Sequence, residues 1–444
     1  MRTDTTPNCY RPGQADLDAE TEAKIERRQR VLGPAYRLSY ANPLHFVRGE
    51  GVWLFDDEGD AYLDFYNNVV SLGHCHPRIV EAMTRQASAL CTNTRYLHDT
   101  IITYAERLTA LFPEPLSQAM FACTGSEAND LACRIAKFQT GGEGFIITDF
   151  AYHGTTSLIA SLSANLGPNM PLGPTVRTVP APAPARTSHA TSGDVADVAR
   201  GFTQNVQSAI DDLRRHGIKP AALLVDSLFS SDGVYPDPPG FLAGAVDAIR
   251  NAGGLFIADE VQPGFGRTGE AMWGFERHGV VPDIVTLGKP MGNGYPMSGV
   301  VLRPEIVEGF GACARYFNTF GGNTVAAANG LAVLDVIKDD DILSNVQSVG
   351  RYLGEALRSI SDDHFGQVRG AGLFFGVDIV ENRDTMTPDP ARAARIVNTM
   401  RDRNVLISLT GKDESVLKIR PPLVTSKSHV DQFIETLTAV IAEV

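Results

Sequence analysis

Two residues in the stretch from Gly254 to Lys289 are of types that do chemistry together: an acid and a lysine, each closing an apolar run. Leu255, Phe256, Ile257 and Ala258 carry no charge before Asp259, and such a run reads as a strand buried on both faces of a parallel sheet. Asp283 to Leu287 reads the same way, and Gly288 allows the turn that projects Lys289 beyond the sheet. Open α/β sheets bind ligands in the crevice at the carboxyl ends of their strands. A lysine amine there can form a Schiff base with an aldehyde while a carboxylate pairs with a protonated ring nitrogen, the chemistry that pyridoxal phosphate requires. By itself the pair reads more readily as a surface salt bridge, because strand-end acids and lysines are common.

The elements that must position this pair run through roughly residues 119 to 302, where strands and helices alternate and call for a mainly parallel sheet with helices on both sides. The strand Ala119 to Cys123 leads into Thr124-Gly125-Ser126-Glu127, whose ends match a capping box, and Ala128, Leu131, Ala132, Ile135 and Ala136 then recur at helical spacing. A glycine and a hydroxyl residue at a helix start offer free N–H groups to a phosphate, or form a plain helix cap. Phe145 to Thr148 is the next strand and leads to Tyr152-His153-Gly154; Ala221 to Val225 is another, ending at Asp226. Helices are expected over Val198 to His216 and Phe241 to Asn251.

Outside this region, His45 to Phe65 reads as strands joined by a tight turn at Asp57-Glu58-Gly59, and Leu17 to Leu32 as a helix stopped by Gly33-Pro34. Residues 1 to 15 look loosely draped, and Pro180 to Gly193 reads as an exposed loop. From about residue 326 a helix, the segment Val368 to Val380, and helices over Ala391 to Arg403 and Val430 to Val444 make a separate α+β unit. The expected division is therefore an N-terminal segment, 1–60, a large domain, 61–325, and a C-terminal unit, 326–444, which joins the N-terminal segment in a small domain.

The 444-residue chain is 43% hydrophobic, 20% charged and carries a net charge of -13, an ordinary globular composition that argues against nucleic acid or an anionic membrane as partner. No run approaches the length needed to span a bilayer, and no signal peptide is evident. Six scattered cysteines without C-x-x-C spacing suggest neither disulfides nor zinc and suit a reducing cytoplasm. His74 and His76 lack the acids or cysteines that would complete a metal site and read as structural, so no metal is expected.

The words DEVQ-x-GFGRTG, at 259–269, and GKPMGNG-x-P, at 288–296, resemble the signature of the class III aminotransferases, a family of fold type I pyridoxal phosphate enzymes. That resemblance extends from about His45 to the end. It implies that Lys289 is the Schiff-base lysine and Asp259 the partner of the ring nitrogen, that Val261 packs on the ring, and that Gln262 bonds the ring hydroxyl. TGSEAND, at 124–130, resembles the family's phosphate-binding word and implies Gly125 and Ser126 as phosphate contacts; Tyr152 stacks on the ring by the same likeness. YFNTFGGN, at 316–323, resembles a turn whose threonine, here Thr319, reaches the cofactor phosphate of a neighbouring subunit, which implies a homodimer with shared active sites. Thr324 departs from the proline usual after that word.

The reaction is a separate question, because one cofactor serves several. Class III transaminases commonly clamp a carboxylate with an arginine three residues before a Pro-Pro pair. In VLKIRPPL that position is Lys418, and Arg420 stands next to the prolines. NNV-x-x-x-GHCHP from Asn67, TRYLHD from Thr94, GKPMGNG and VLK-x-x-PPL together resemble the branch of ethanolamine-phosphate and phosphohydroxylysine phospho-lyases. This implies elimination of phosphate from a phosphorylated amine such as O-phosphoethanolamine, giving aldehyde, ammonia and phosphate, with Arg95 and Lys418 as candidate phosphate cations and Asn67 or Asn68 as candidate donors. The alternatives are an ω-aminotransferase acting on an amine or diamine, with Lys418 or Arg420 holding the keto acid, and a non-catalytic cofactor-binding homologue.

Overall fold

The computed structural model describes residues 8–183 and 195–444. At its centre is a seven-stranded sheet, ordered across as Gln118–Ala122, Ser298–Leu302, Ile284–Leu287, Leu255–Asp259, Pro220–Asp226, Gly144–Thr148 and Val176–Val179. Only Ser298–Leu302 runs against its neighbours; the other pairs are parallel. A sheet covered on both faces needs uncharged residues throughout, and Phe256, Ile257, Ala258, Val285 and Leu287 are wholly buried. The helix Gly125–Thr140 covers one face with Ala128, Leu131, Ala132, Ile135 and Ala136. Thr124 and Glu127 form the expected capping box at its start, and Gly141, left-handed at φ +64°, closes it.

Two four-stranded sheets flank the centre. In one, Phe46–Glu50, Trp53–Asp56 and Ala61–Asp64 form an antiparallel meander, completed by the two-residue strand Val405–Leu406 lying parallel to Ala61–Asp64. The N-terminal strands and the C-terminal part thus share a sheet. In the other, Phe365–Ala371, Phe374–Ile379, Val416–Ile419 and Ser408–Thr410 are antiparallel throughout. The segment read as one unit from Val368 to Val380 is a hairpin turning at Gly372, where φ is +56° and a Cβ would stand 2.4 Å from the Arg267 carbonyl oxygen. No described helix is long and apolar enough to cross a membrane.

The N-terminal segment is held at two described residues. Within residues 1 to 15, expected to be loosely draped, Tyr10 N–H donates to the Leu38 carbonyl at 2.9 Å and Tyr40 N–H to the Asn8 carbonyl at 2.8 Å. Asn398 adds a 3.0 Å bond to the Asn8 side chain, so backbone pairing and a C-terminal helix pin a segment that has no apolar pattern to announce it. Residues 1–7, and 184–193 of the expected Pro180 to Gly193 loop, lie outside the described residues.

The antiparallel sheet meets the central one through the loop after Asp226. Arg369 is buried and forks both η nitrogens onto Asp378 at 2.6 Å, while also donating to the carbonyls of Gly233 at 3.1 Å and Val234 at 3.2 Å. Truncating one member of such a pair strands the other charge in the interior. Arg369→Met should therefore lower unfolding stability by about 3 to 5 kcal/mol. Urea denaturation followed by tryptophan fluorescence measures it, and a loss below about 1 kcal/mol would show that water relieves Asp378.

Candidate active site

Asp259 ends its strand beside Asp226 on one neighbour and Thr286 on the other. Two residues beyond the Ile284–Leu287 strand stands Lys289, with φ +30°, a backbone conformation that a non-glycine residue holds only when its surroundings impose it. The backbone around these strand ends is also closely packed. A Cβ on Gly288 would lie 3.2 Å from Val261 Cγ1, and one on Gly125 would lie 3.1 Å from the same atom, so both glycines let the helix start approach the strand ends.

A cleft of ≈ 100 Å³ opens at these ends. Gly125, Ser126, Tyr152, Asp259, Val261, Gln262 and Lys289, all expected from the sequence at a cofactor, line it within a single chain. Asp259 Oδ1 accepts from the Val261 N–H at 3.1 Å, and Oδ2 accepts from Asn129 Nδ2 at 3.0 Å and lies 2.7 Å from His153 Nδ1. An ionised carboxylate only accepts, which places the proton on His153 Nδ1. Burial pushes the Asp259 pKa up, but the bond and charge of His153, with the other two donors, outweigh it and hold the carboxyl below its ordinary value. At Lys289, burial lowers the amine's pKa, Asp259 opposes that, and Arg420 adds to it; the amine is held below its ordinary value.

These residues fit pyridoxal phosphate. An ionised carboxylate can hold a protonated ring nitrogen, a lysine of depressed pKa can attack an aldehyde, and a 16-residue helix starts at Gly125 and Ser126 with N–H groups suited to phosphate. Ser126 Oγ accepts from the Thr155 N–H at 3.0 Å and keeps its own proton to donate. His153 Nε2 and Asn129 Oδ1 are buried without a hydrogen-bond partner among the described residues, as the wall of a ligand site can leave them. His153 and Asn129 were not assigned from the sequence. Asn129 stands four residues after Gly125, on the same helix face, and His153 follows Tyr152, but their common partner is far along the chain.

Thr319 is exposed and does not line the cleft of its own chain. Its loop is tied to the helix cap by Asn318 Nδ2, 3.1 Å from Glu127 Oε1. The candidate substrate residues also stand apart from that lining. Arg95 is exposed, its guanidinium 3.8 Å above the Phe317 ring beside the Thr319 loop. Asn67 Oδ1 accepts from the Val69 N–H at 2.9 Å. Both ends of the Asn68 carboxamide are taken: Nδ2 donates to the Gln262 carbonyl at 3.1 Å and Oδ1 accepts from Arg267 Nη2 at 2.7 Å.

Arg420 is likewise occupied, donating from Nε and Nη2 to the Tyr66 carbonyl at 3.1 and 3.0 Å and from Nη1 to Gln262 Oε1. Lys418 differs. It is buried, with no hydrogen bond or ion pair to a described residue, and its Nζ lies 5.6 Å from the Phe374 ring centre. Burial, then the Arg420 charge, drive its pKa well below the ordinary value, opposed by Asp226 and Asp232 and deepened by Lys289. Its amine thus stands within the field of Asp226 and Lys289, both of which line the cleft, and an arriving anion would favour its protonated form.

Asp232 shares this region. Its Oδ2 accepts from Thr148 Oγ1 at 2.8 Å, and burial pushes its pKa from 3.8 up to about 7. Between those values the native chain keeps a proton that the unfolded chain has lost, so stability falls as pH rises through the window and levels off above it. Asp232→Asn retains a partner for Thr148 and removes that slope. Melting temperature plotted against pH should be flatter for the variant; parallel profiles would show that Asp232 does not titrate there.

A family model described as Aminotransferase class-III matches residues 36–441. The chain is 39% identical to the alanine–glyoxylate aminotransferase 2-like protein of Drosophila melanogaster, covering 94% of this chain and 87% of that one. It is 35% identical to the ethanolamine-phosphate phospho-lyase homolog 1 of Caenorhabditis elegans, covering 94% and 92%. Among solved structures it superposes with a TM-score of 0.91, at 40% identity over 95% of this chain and 100% of the other, on a phospholyase from Arthrobacter in complex with phosphoethanolamine.

Proposed function

Because this chain belongs to the class III aminotransferase family, whose members are pyridoxal phosphate-dependent enzymes, we propose that it is a phospho-lyase eliminating phosphate from a small phosphorylated amine such as O-phosphoethanolamine. The observation that carries this reading is the contrast between Arg420 and Lys418. A keto-acid exchanger needs a planar, two-pronged clamp for a carboxylate. Arg420 commits three of its five N–H donors, from all three nitrogens, to Tyr66 and Gln262, whereas the Lys418 amine has no hydrogen-bond or ion-pair partner among the described residues and, once protonated by an arriving anion, is the form of cation that suits a rotating phosphate. The Arthrobacter phospholyase and the Caenorhabditis homolog support the reading by likeness.

The bound cofactor supplies an electron sink for the carbon that carries the amine. Asp259, kept ionised by His153, Asn129 and the Val261 N–H, holds the ring nitrogen protonated. Gly125 and Ser126 hold the cofactor phosphate, Tyr152 and Val261 enclose the ring and Gln262 bonds its hydroxyl. Lys289, its amine favoured in the neutral form by burial, takes the proton from the amine-bearing carbon. The neighbouring C–O bond then breaks, its electron pair leaving with the phosphate, which Lys418 receives. One water completes release of ammonia and the aldehyde, so no second substrate enters. The six cysteines are all free, and we place the enzyme in a reducing cytoplasm.

We also propose a homodimer in which Thr319 serves the partner's cofactor. Tyr96, Leu97 and Phe320 are 68%, 96% and 68% exposed around that loop, an apolar surface that a second copy can cover. Arg95, stacked on Phe317, would reach the same neighbouring site. Mixed Lys289→Ala and Thr319→Ala subunits, each inactive alone, should regain part of the activity, since one site of the heterodimer is intact. No recovery from an inactive Thr319 variant would mean that each site is built from one chain.

A second reading, an ω-aminotransferase, draws on the Drosophila relative, named an aminotransferase. The two separate on stoichiometry. O-phosphoethanolamine alone should give acetaldehyde, ammonia and inorganic phosphate with no pyruvate or 2-oxoglutarate added. Lys418→Met should raise the KM for it about tenfold to a hundredfold, the worth of one charge-assisted contact. Amine consumption that requires a keto acid and releases no phosphate overturns the lyase in favour of the transaminase.

A further inference from the structure

We propose that Arg420 is a positioning residue, fixing which end of the Gln262 carboxamide faces the cofactor cleft. This rests on the reading of Gln262 as the contact to the cofactor's ring hydroxyl. A carboxamide is nearly symmetric in shape, and its two orientations differ only in offering an acceptor or a donor. A guanidinium has donors and no acceptor, so the Gln262 atom that meets Arg420 Nη1 must be Oε1. Nε2 is then turned away from Arg420. It has no partner among the described residues, and Gln262 lines the cleft, so the free end is a donor.

The bond belongs to a closed circuit. Arg420 is followed by Pro421, whose carbonyl accepts from Arg267 Nη1. Arg267 Nη2 donates to Asn68 Oδ1 at 2.7 Å, and Asn68 Nδ2 donates to the Gln262 backbone carbonyl at 3.1 Å. Gln262 is therefore held at its backbone through Arg267 and Asn68 and at its side chain through Arg420. Arg267 and Arg420 are 1% and 5% exposed, with no carboxylate within 4.0 Å among the described residues; their donors are spent on orienting carbonyl groups instead of neutralising acids. With the ring hydroxyl ionised, a flipped amide would aim oxygen at it, two acceptors meeting without a proton. Arg420 removes that state.

The test reads the pH midpoint of the visible absorbance band of the cofactor-loaded protein in a double-mutant cycle. Arg420→Met and Gln262→Ala should each move the midpoint in the same direction by about half to one pH unit. In the Gln262→Ala background the Arg420→Met shift should fall to less than half its size, because the amide through which Arg420 acts is gone. Gln262→Leu, which adds no charge and offers neither an acceptor to Arg420 nor a donor to the cofactor, should behave as Gln262→Ala does. Equal Arg420→Met shifts in both backgrounds overturn the proposal, since Arg420 then acts by charge alone. A lowered melting temperature with an unmoved midpoint in Arg420→Met also overturns it, in favour of a structural role. A band unmoved by Gln262→Ala overturns the premise that Gln262 touches the cofactor, a failure distinct from the other two. Should Arg420→Met not yield loaded protein, Arg420→Gln, whose amide both donates and accepts and so fixes neither orientation of Gln262, runs the same cycle with the same deciding outcomes.

Discussion

Keeping a carboxylate charged where water cannot reach it is the constraint on which the site depends. Asp259 is 4% exposed, and burial alone would protonate it, ending its use to a ring nitrogen. Three donors prevent that: the helix residue Asn129, His153 from the loop after the next strand, and the Val261 N–H from the turn that Asp259 itself begins. Each has to come from a different element, so strand order, helix cap and loop path are all fixed by one functional group. Beside it, Lys289 takes a positive φ, and two glycines let the helix start lie close against Val261.

Around this anion the chain distributes its buried cations unequally. Arg369 is matched to Asp378 and joins one sheet to the loop of another. Arg267 and Arg420 have no acid within ion-pair distance among the described residues and bond carbonyl and carboxamide oxygens, an arrangement that uses charged donors for geometry. Lys418 has no side-chain hydrogen bond or ion pair to a described residue, only the more distant charges of Asp226 and Asp232, and a buried ammonium there is costly unless an anion arrives to join it. The family resemblance by itself leaves lyase and transaminase both open; this difference between Lys418 and Arg420 is where the chain's own residues lean.

Much of this could be read beforehand because the relevant signals are local. Asp259 and Lys289 each end an uninterrupted apolar run, and Thr124 with Glu127 spells a helix start in four residues, so the structure has strands and a helix where such patterns require them. What could not be read has its cause at long range. His153 and Asn129 meet Asp259 across 106 and 130 residues, with no periodicity to connect them. Arg420 and Lys418 sit two apart on one segment, and nothing in that spacing says that one guanidinium is already spent on a residue 158 positions away. Asn68 looked like a free donor for the same reason. Val405–Leu406 and Ser408–Thr410, two and three residues long, are too short to carry an alternation and become strands only because partners wait for them.

Those partners have been waiting since early in synthesis. Phe46–Glu50, Trp53–Asp56 and Ala61–Asp64 emerge first, yet the edge of Ala61–Asp64 is closed only by Val405–Leu406, near the end of the chain. Throughout translation the nascent protein therefore exposes an unpaired strand that carries Tyr62 and Leu63, both buried in the finished molecule. The last strand of the central sheet ends at Leu302, about a hundred residues before Val405, so that sheet has all its strands well before this one has its last member. The burden of folding thus falls late, and a chaperone that shields the first hairpin until its closing strand is released would act at the point of greatest exposure.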